Sequence, residues 1–452
     1  MKQTKRFLGL IAAALLTTSA WAQMTFTYST TASESTMVDG STLVQLPAGT
    51  DLNGGIITNV KINGVSINPA NVTPNPTKTF ITEGEIETFV YNGKAYSFRF
   101  LAGQYFTAVM FSDPHVAQDN YEGTSVENMQ AFVSEILKLG KEGGKTVTFA
   151  EAPKGYVPTA DIVFCMGDMD KDSENSGTNF KNAMKGFNDA GVPFITIAGN
   201  HDLLPDHWHD SDNNKALTTF TASQNTTALN LVKNQYTTAA TNGSFTVETI
   251  TDPNHTGLTD VHPGHFTFKY KGVRFYCANN YWFQKPYKVS TSITYYAADG
   301  TIDALNDYVE DHVDDASVWI SHFPFYSEAN DYNDAYERWW LDQNNAPHAV
   351  CVMPTDAASS EYYNGGTNVA YTTDEGHDLV EKKQKALADI IVKSKNPRHF
   401  SGHSHRDDGA DVTATNGKVF RDHTIQPAFN RWAFVVLCKE GEGAIAVQRV
   451  EF

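Results

Sequence analysis

Residues Phe194–Asp210 read FITIAGNHDLLPDHWHD. An apolar, partly β-branched run stops at Gly199 and then delivers Asn200, His201 and Asp202 in succession. A short continuous apolar run bounded by turn residues fits a strand buried on both faces, and such strands belong to parallel sheets covered by helices. The stretch therefore predicts an α/β unit with its chemistry at the carboxyl ends of the strands, where ligands of such sheets bind. Taken alone, Asn-His-Asp reads equally well as turn punctuation or as a set of working groups.

The same texture recurs on both sides. YFTAVMFSD (105–113), ADIVFCMGD (160–168), GVRFYCANN (272–280), ASVWISHFP (316–324) and PRHFSGHSH (397–405) read as further buried strands. VENMQAFVSEILKLGK (126–141), NFKNAMKGFNDAG (179–191), TIDALNDYVEDHV (301–313) and GHDLVEKKQKALADIIVKS (376–394) carry helical apolar spacing between them. WAFVVLCKE and AIAVQRVEF predict a closing hairpin. Residues 23–104 differ: the Asn-Gly pairs of VKINGVSI and TFVYNGKAYSFRF sit between alternating segments joined by the Pro-rich NPANVTPNP. Asn-Gly so placed signals a two-residue hairpin, because both turn positions need positive φ. The expected organisation is a leader at 1–22, a small all-β module at 23–104 and an α/β domain at 105–452.

Composition narrows the function classes. The chain has 452 residues, with 34 Lys+Arg against 52 Asp+Glu and a formal charge of −18. Such acidity repels polyanions at long range, so no nucleic-acid partner is expected. The first 22 residues follow the plan of a secretory signal: Lys2, Lys5 and Arg6, then FLGLIAAALLTT, then Ala20-Trp21-Ala22 before the expected cut. That apolar run is too short for a membrane span and none comparable follows. The expectation is an exported protein, periplasmic or secreted, without a membrane span. Cys165, Cys277, Cys351 and Cys438 are widely spaced with no CxxC, which excludes a zinc ribbon or a thioredoxin-like motif. Export permits disulfides, but Cys165 and Cys438 lie in apolar strand-like runs, where buried free thiols are the simpler expectation.

The strand exits decide the opening question. They deliver Asp113-Pro114-His115, Gly167-Asp168, Gly199-Asn200-His201-Asp202, Ser321-His322 and Gly402-His403-Ser404-His405. Asp, Asn and His are oxygen and nitrogen ligands for hard or borderline divalent metals. In extended chain, residues i and i+2 point the same way, so Asp113 and His115 would grip one ion together. His403 and His405 share that spacing and would divide between two ions. Adjacent Asn200 and His201 would diverge, one toward a metal through its amide oxygen, the other over a substrate. Each block alone is weak: Gly-Asp after a strand is ordinarily a turn, and a lone His322 is ordinarily an interior, hydrogen-bonded histidine. Five blocks in this order exceed what turn chemistry explains.

In this order the blocks resemble the calcineurin-like metallophosphoesterases, whose pattern is Asp-x-His, Gly-Asp, Gly-Asn-His-Asp/Glu, His and Gly-His-x-His. The resemblance spans residues 105 to about 410. It implies an α/β fold, a layered α-β-β-α metallophosphoesterase sandwich, here preceded by the small all-β, β-sandwich-like module. It implies two divalent metal ions, manganese, iron or zinc. One would be held by Asp113, His115, Asp168 and His405, the other by Asp168, Asn200, His322 and His403, with Asp168 bridging. The implied activity is hydrolysis of a small phosphomonoester or phosphodiester by a metal-bridging hydroxide. His201 would protonate the leaving oxygen as general acid, and Asp202 would orient its ring. Two divalent ions, two carboxylates and a hydroxide sum to roughly +1, an attractive charge for phosphate.

Departures from individual branches sharpen the expectation. Protein Ser/Thr phosphatases resemble Gly-Asp-x-x-Asp-Arg-Gly at the second block, where this chain has Gly167-Asp168-Met169-Asp170-Lys171-Asp172. Purple acid phosphatases carry tyrosine where Lys171 stands and lack the first-block histidine, so no iron-tyrosinate colour is expected. SHFPFY looks like the His-x-Pro of acid phosphatase and sphingomyelinase-like branches, which keeps a sphingomyelinase-like phosphodiesterase as the narrower alternative. A different class is a non-catalytic, metal-containing binding module; such a module has no physical need of His201. Tyr281, Trp282, Trp339 and Trp340 would wall a pocket or pack loops, and His207 and His209 would support the site or sit on an exposed loop. Residues from about 210 to 262 read as a long polar loop of the kind that sets specificity.

Overall fold

The computed structural model describes residues 23–452 apart from 39, 53–54, 117–122, 154–155, 170–176, 200–201, 203–221, 251–264, 279–297, 326–337, 342–346, 351–385 and 406. The chain divides into two units, Met1–Gln104 with Pro153–Tyr156, and Tyr105–Ala152 with Val157–Phe452.

The first unit holds β1 (Met24–Tyr28), β2 (Ser33–Val38), β3 (Ser41–Leu46), β4 (Ile57–Ile62), β5 (Val65–Ile67), β6 (Ile86–Tyr91) and β7 (Lys94–Ala102). They form two sheets, β1-β4-β5 and β2-β3-β7-β6. Phe26 of the first sheet packs on Phe89, Phe98 and Phe100 of the second, with ring centroids 4.6–6.4 Å apart. The two sheets thus share one core. Asn63-Gly64 and Asn92-Gly93 turn β4 into β5 and β6 into β7, and all four residues take positive φ. These are the mirror-image turns that match the twist of paired strands.

The second unit is mixed α/β, with several sheets and few helices. Its strands are β8 (Tyr105–Phe111), β9 (Ile162–Cys165), β10 (Phe194–Thr196), β11 (Val247–Ile250), β12 (His265–Tyr270), β13 (Val273–Cys277), β14 (Ala316–Ile320), β15 (Arg338–Leu341), β16 (Pro347–Val350), β17 (Lys395–Ser401), β18 (Asp408–Thr413), β19 (Val419–Thr424), β20 (Trp432–Lys439) and β21 (Gly443–Glu451). Its helices are α1 (Val126–Leu137), α2 (Thr178–Asp189), α3 (Ala222–Gly243) and α4 (Ala298–Glu310), with a short helical stretch at 386–391. One sheet has five strands in the order β10-β9-β8-β20-β21, another has seven in the order β11-β12-β13-β14-β17-β19-β18, and β15 pairs with β16 alone.

Parity along β8 explains how the five-stranded sheet is covered. Phe111 points to one face, where it meets Phe132 of α1, Phe187 of α2 and Phe194 of β10. Phe106, five residues earlier and so on the opposite face, meets Phe275 of the seven-stranded sheet at 6.2 Å. Phe164 of β9 stacks on the same Phe275 at 5.1 Å and on Phe268 at 6.2 Å. The far side of the seven-stranded sheet is closed by Ile302, Leu305 and Val309 of α4 and by Leu387, Ile390 and Ile391, packed with Tyr276 and Trp319. Both faces of the central strands are therefore dry, which is why β8, β9, β13 and β14 read as predominantly apolar runs.

Two features depart from the sequence expectations. The region read as a polar loop contains α3 and β11. Leu231, Val232, Gln235, Tyr236 and Ala239 are buried among the described residues of α3, and Gln235 Nε2 donates to the Phe194 carbonyl at 3.1 Å. Its threonines masked the helix: Thr237, Thr238 and Thr241 return their hydroxyls to carbonyls four residues back, a local bond that makes threonine look like a loop former. The β12–β13 hairpin turns on Lys271-Gly272, both at positive φ, with no Asn-Gly to announce it.

Candidate metal centre

The parallel strands β8, β9 and β10 of one sheet and β14, β17 of the other end in the five sequence blocks. Backbone bonds tie these exits together. Asp113 N–H donates to Gly167 O at 3.1 Å, His115 N–H to Asp168 O at 3.1 Å, and Gly402 N–H to His322 O at 3.0 Å. Crossing from one sheet to the other, His403 N–H donates to Asp113 Oδ2 at 2.9 Å.

Two Asp/His groups result that could hold metal ions: Asp113, His115 and His405, and Asp168, His322 and His403. In the first group, His115 Nε2 lies 3.3 Å from His405 Nε2, which lies 3.4 Å from Asp113 Oδ1. In the second, His322 Nε2 lies 3.2 Å from Asp168 Oδ2. Donors bound to one ion at about 2.0–2.2 Å sit roughly 3–3.5 Å from each other, so the spacing fits such an ion. Asp113 Oδ1 is fully buried, with His405 Nε2 at 3.4 Å and no shorter hydrogen bond, an environment in which a carboxylate oxygen favours a cationic partner. Asp168 Oδ2 is also 3.8 Å from His115 Nε2 of the first group, so one carboxylate oxygen faces both groups.

The backbone carries the mark of the site. Among the described residues eleven non-glycine positions take positive φ, and five are Asp113 (52°), His115 (40°), Asp168 (52°), His403 (65°) and His405 (54°). Each such conformation costs of order 1–3 kcal/mol and persists only where its surroundings over-determine it, typically at functional sites. This corrects the extended-chain reasoning for the i, i+2 pairs: left-handed turns, not strand alternation, aim the side chains. His403 and His405 do go to different groups. The glycines beside them are obligatory. A Cβ at Gly167 would meet His322 Nδ1 at 2.5 Å, and one at Gly402 would overlap Ser112 Oγ and Asp113 Oδ2.

Electrostatics favours positive charge here. Burial opposes ionisation of Asp113 less than it is countered by His405 and His322, which hold its carboxyl below the ordinary range. Burial likewise disfavours protonated His322, yet Asp168 and Asp113 push that ring up to about 9. Burial, reinforced by His322, drives His403 down to about 3 and keeps its ring neutral, the form that ligates metals. His322 Nδ1 is 2.8 Å from the Met166 carbonyl; its proton stays there and Nε2 turns to Asp168.

Asp202 is buried, and its oxygens accept the Gly199 and Met169 N–H groups at 2.7 and 2.9 Å. It stitches the third exit to the second, and burial followed by Asp168 raises it to about 7. Asn200 and His201 lie outside the described residues, as do His207, His209, Tyr281, Trp282, Cys351 and the expected leader. Cys165, Cys277 and Cys438 are buried free thiols, with burial pushing all three upward and so making them inert.

Two phenyl rings escaped the sequence reading. Phe323 packs on His322 and His403 with centroids 5.0 and 4.4 Å away, and Phe429 on His115 and His405 at 6.0 and 5.5 Å. Phe429 rides a single 3-10 turn, Ala428–Asn430, anchored by Ala428 N–H on Ser112 O at 2.7 Å. No motif in its neighbourhood of the sequence marks it.

No protein-family model matches the chain, and no curated protein matches it in sequence. The functional reading therefore stands on the residues and their geometry.

Proposed function

We propose that the chain is an exported, dinuclear-metal phosphoesterase of the calcineurin-like type, hydrolysing small phosphomonoesters or phosphodiesters. One observation carries the reading: two Asp/His groups converge from separate strand exits, and Asp168 Oδ2 faces a histidine nitrogen of each, at 3.2 and 3.8 Å. Helix-covered sheets meeting through Phe106, Phe164 and Phe275 are compatible with the layered α-β-β-α sandwich. The donor set suits manganese, iron or zinc. When bound, the ions supply Lewis acidity toward phosphoryl oxygens and a water that ionises near neutral pH.

The chain's own residues divide the remaining work. Asp113, His115 and His405 would hold one ion, and His322 and His403, joined by Asn200, would hold the other, with Asp168 shared. Met166 O keeps His322 Nε2 turned inward. Asp202 ties Gly199 to Met169, and His201 would give its proton to the departing oxygen. The half-buried Phe429 offers an apolar ring to the organic part of the ester.

The test is hydrolysis of p-nitrophenyl phosphate and bis-p-nitrophenyl phosphate by residues 23–452 with Mn²⁺, then Zn²⁺ and Fe²⁺. Turnover of either ester, abolished in Asp168→Asn, supports the reading, and faster diester cleavage favours the sphingomyelinase-like branch. Bound metal with no turnover of either ester overturns it in favour of the binding module.

A further inference from the structure

Beside the two metal-ligand groups lies a second chain of buried polar side chains that belongs to neither. Ser321 Oγ is 2.7 Å from His399 Nε2, and His399 Nδ1 is 2.7 Å from Asp422 Oδ1. The other carboxylate oxygen, Asp422 Oδ2, accepts the Phe325 N–H at 2.8 Å, and the Ser321 hydroxyl reaches the Phe323 carbonyl at 3.1 Å. Ser321 and Asp422 are 0 % exposed and His399 1 %.

The connectivity is that of a serine hydrolase triad, but the chemistry is not. A nucleophilic serine must stand where an acyl group can reach it, beside donors for an oxyanion. Ser321 exposes no surface, and its hydroxyl is turned back onto its own loop. The chain therefore does mechanical work.

Its arms close on one short segment. Ser321 begins the loop that leaves β14, and Phe325, buried, is the last residue of that loop among those described. His399 of β17 holds the first residue and Asp422 of β19 holds the last. His322 lies between them, and backbone bonds complete the frame: Ser321 N–H to Phe400 O at 3.1 Å and Gly402 N–H to His322 O at 3.0 Å. Burying a carboxylate and an imidazole costs desolvation that apolar residues of similar volume avoid. Stability alone gives no reason for the arrangement, whereas fixing the plane and depth of His322 does.

We propose that Ser321, His399 and Asp422 are positioning residues for His322, a buried relay that sets the affinity of the Asp168/His322/His403 group for its metal ion. The inference rests on the metal reading of that group. Partners of this kind typically govern 10–100-fold in metal affinity when lost.

Calorimetric titration of metal-free protein with Mn²⁺ tests it, with His405→Ala used to assign the two binding steps and thermal unfolding followed in parallel. Ser321→Ala, the smallest cut, is expected to weaken the His322-side step by ~10–100-fold and leave the other within about threefold. His399→Gln and Asp422→Asn, each cutting one arm, should do the same wherever they remain folded. Equal weakening of both steps, or a lower melting temperature with both affinities unchanged, overturns the positioning role. Wild-type protein that binds no Mn²⁺ at all overturns the metal reading instead, and the proposal with it.

Discussion

Asp168 is the residue on which the dinuclear reading turns. Its Oδ2 stands 3.2 Å from His322 Nε2 and 3.8 Å from His115 Nε2, and its side chain is 2 % exposed. Asp168→Asn keeps the shape and one oxygen but removes the charge. Removing one partner of a buried charge pair costs about 3–5 kcal/mol, which for a bound ion is a loss of affinity between ~10² and several times ~10³-fold. Because the oxygen faces both groups, the loss should fall on both ions. Calorimetric titration with Mn²⁺, backed by metal analysis after desalting, reads this without any activity assay. Two ions per chain are expected for the wild type, and two steps each weakened at least ~10²-fold for the variant. A 10²-fold loss also lowers the metal-induced stabilisation by about 2.7 kcal/mol per ion at fixed concentration, measurable by denaturant titration. If one ion survives within threefold of its wild-type affinity, Asp168 belongs to a single group and the shared-carboxylate argument is wrong.

Two more perturbations probe the surroundings. His265 and His423 lie outside both groups, and burial, joined at His423 by Arg398, holds each near a pKa of about 4. The unfolded chain protonates near 6.5, so it binds the proton first: stability falls as pH drops from 6.5 to about 4, then levels, by up to about 3 kcal/mol for each ring. His423 Nε2 makes no hydrogen bond and the ring stacks on Phe400 at 5.0 Å, so His423→Phe should flatten that slope by about 1.4 kcal/mol per pH unit in urea titrations of chelator-treated protein; an unchanged slope refutes the assignment. Gly402→Ala places a Cβ on Ser112 Oγ and Asp113 Oδ2 and breaks the His403 N–H bond to that carboxylate. Overpacking plus the lost charged bond predicts a destabilisation of about 3–5 kcal/mol, and wild-type stability in denaturant titration would show that the cradle is loose.

Where sequence and structure can be compared residue by residue, legibility follows the range of the forces involved. Strand exits were readable because dryness on both faces writes a continuous apolar run, and Asp or His directly after such a run is conspicuous. The hairpins at Asn63-Gly64 and Asn92-Gly93 were readable because positive φ selects those residues locally. α3 was not, since its threonines satisfy themselves on their own helix, and Phe429 was not, since only the fold carries that turn to His115. The allocation of ligands is the instructive case. Asp113 and His115 sit two apart and join one group; His403 and His405 sit two apart and join different ones. Equal spacing yields opposite outcomes because both pairs stand on left-handed backbone, and what aims each side chain is a bond from another exit. His403 shows the coupling most directly: its ring belongs with Asp168 and His322, while its N–H holds Asp113 of the other group at 2.9 Å. Within the second group the tie crosses between sheets: the Met166 carbonyl, just past the end of β9, holds His322 Nδ1 at 2.8 Å. The first group is thus held partly by backbone that carries the second. Spacing alone does not partition such a centre; the expected partition came from the resemblance of the five blocks taken in order, and the two groups the fold brings together divide His403 and His405 in the same way.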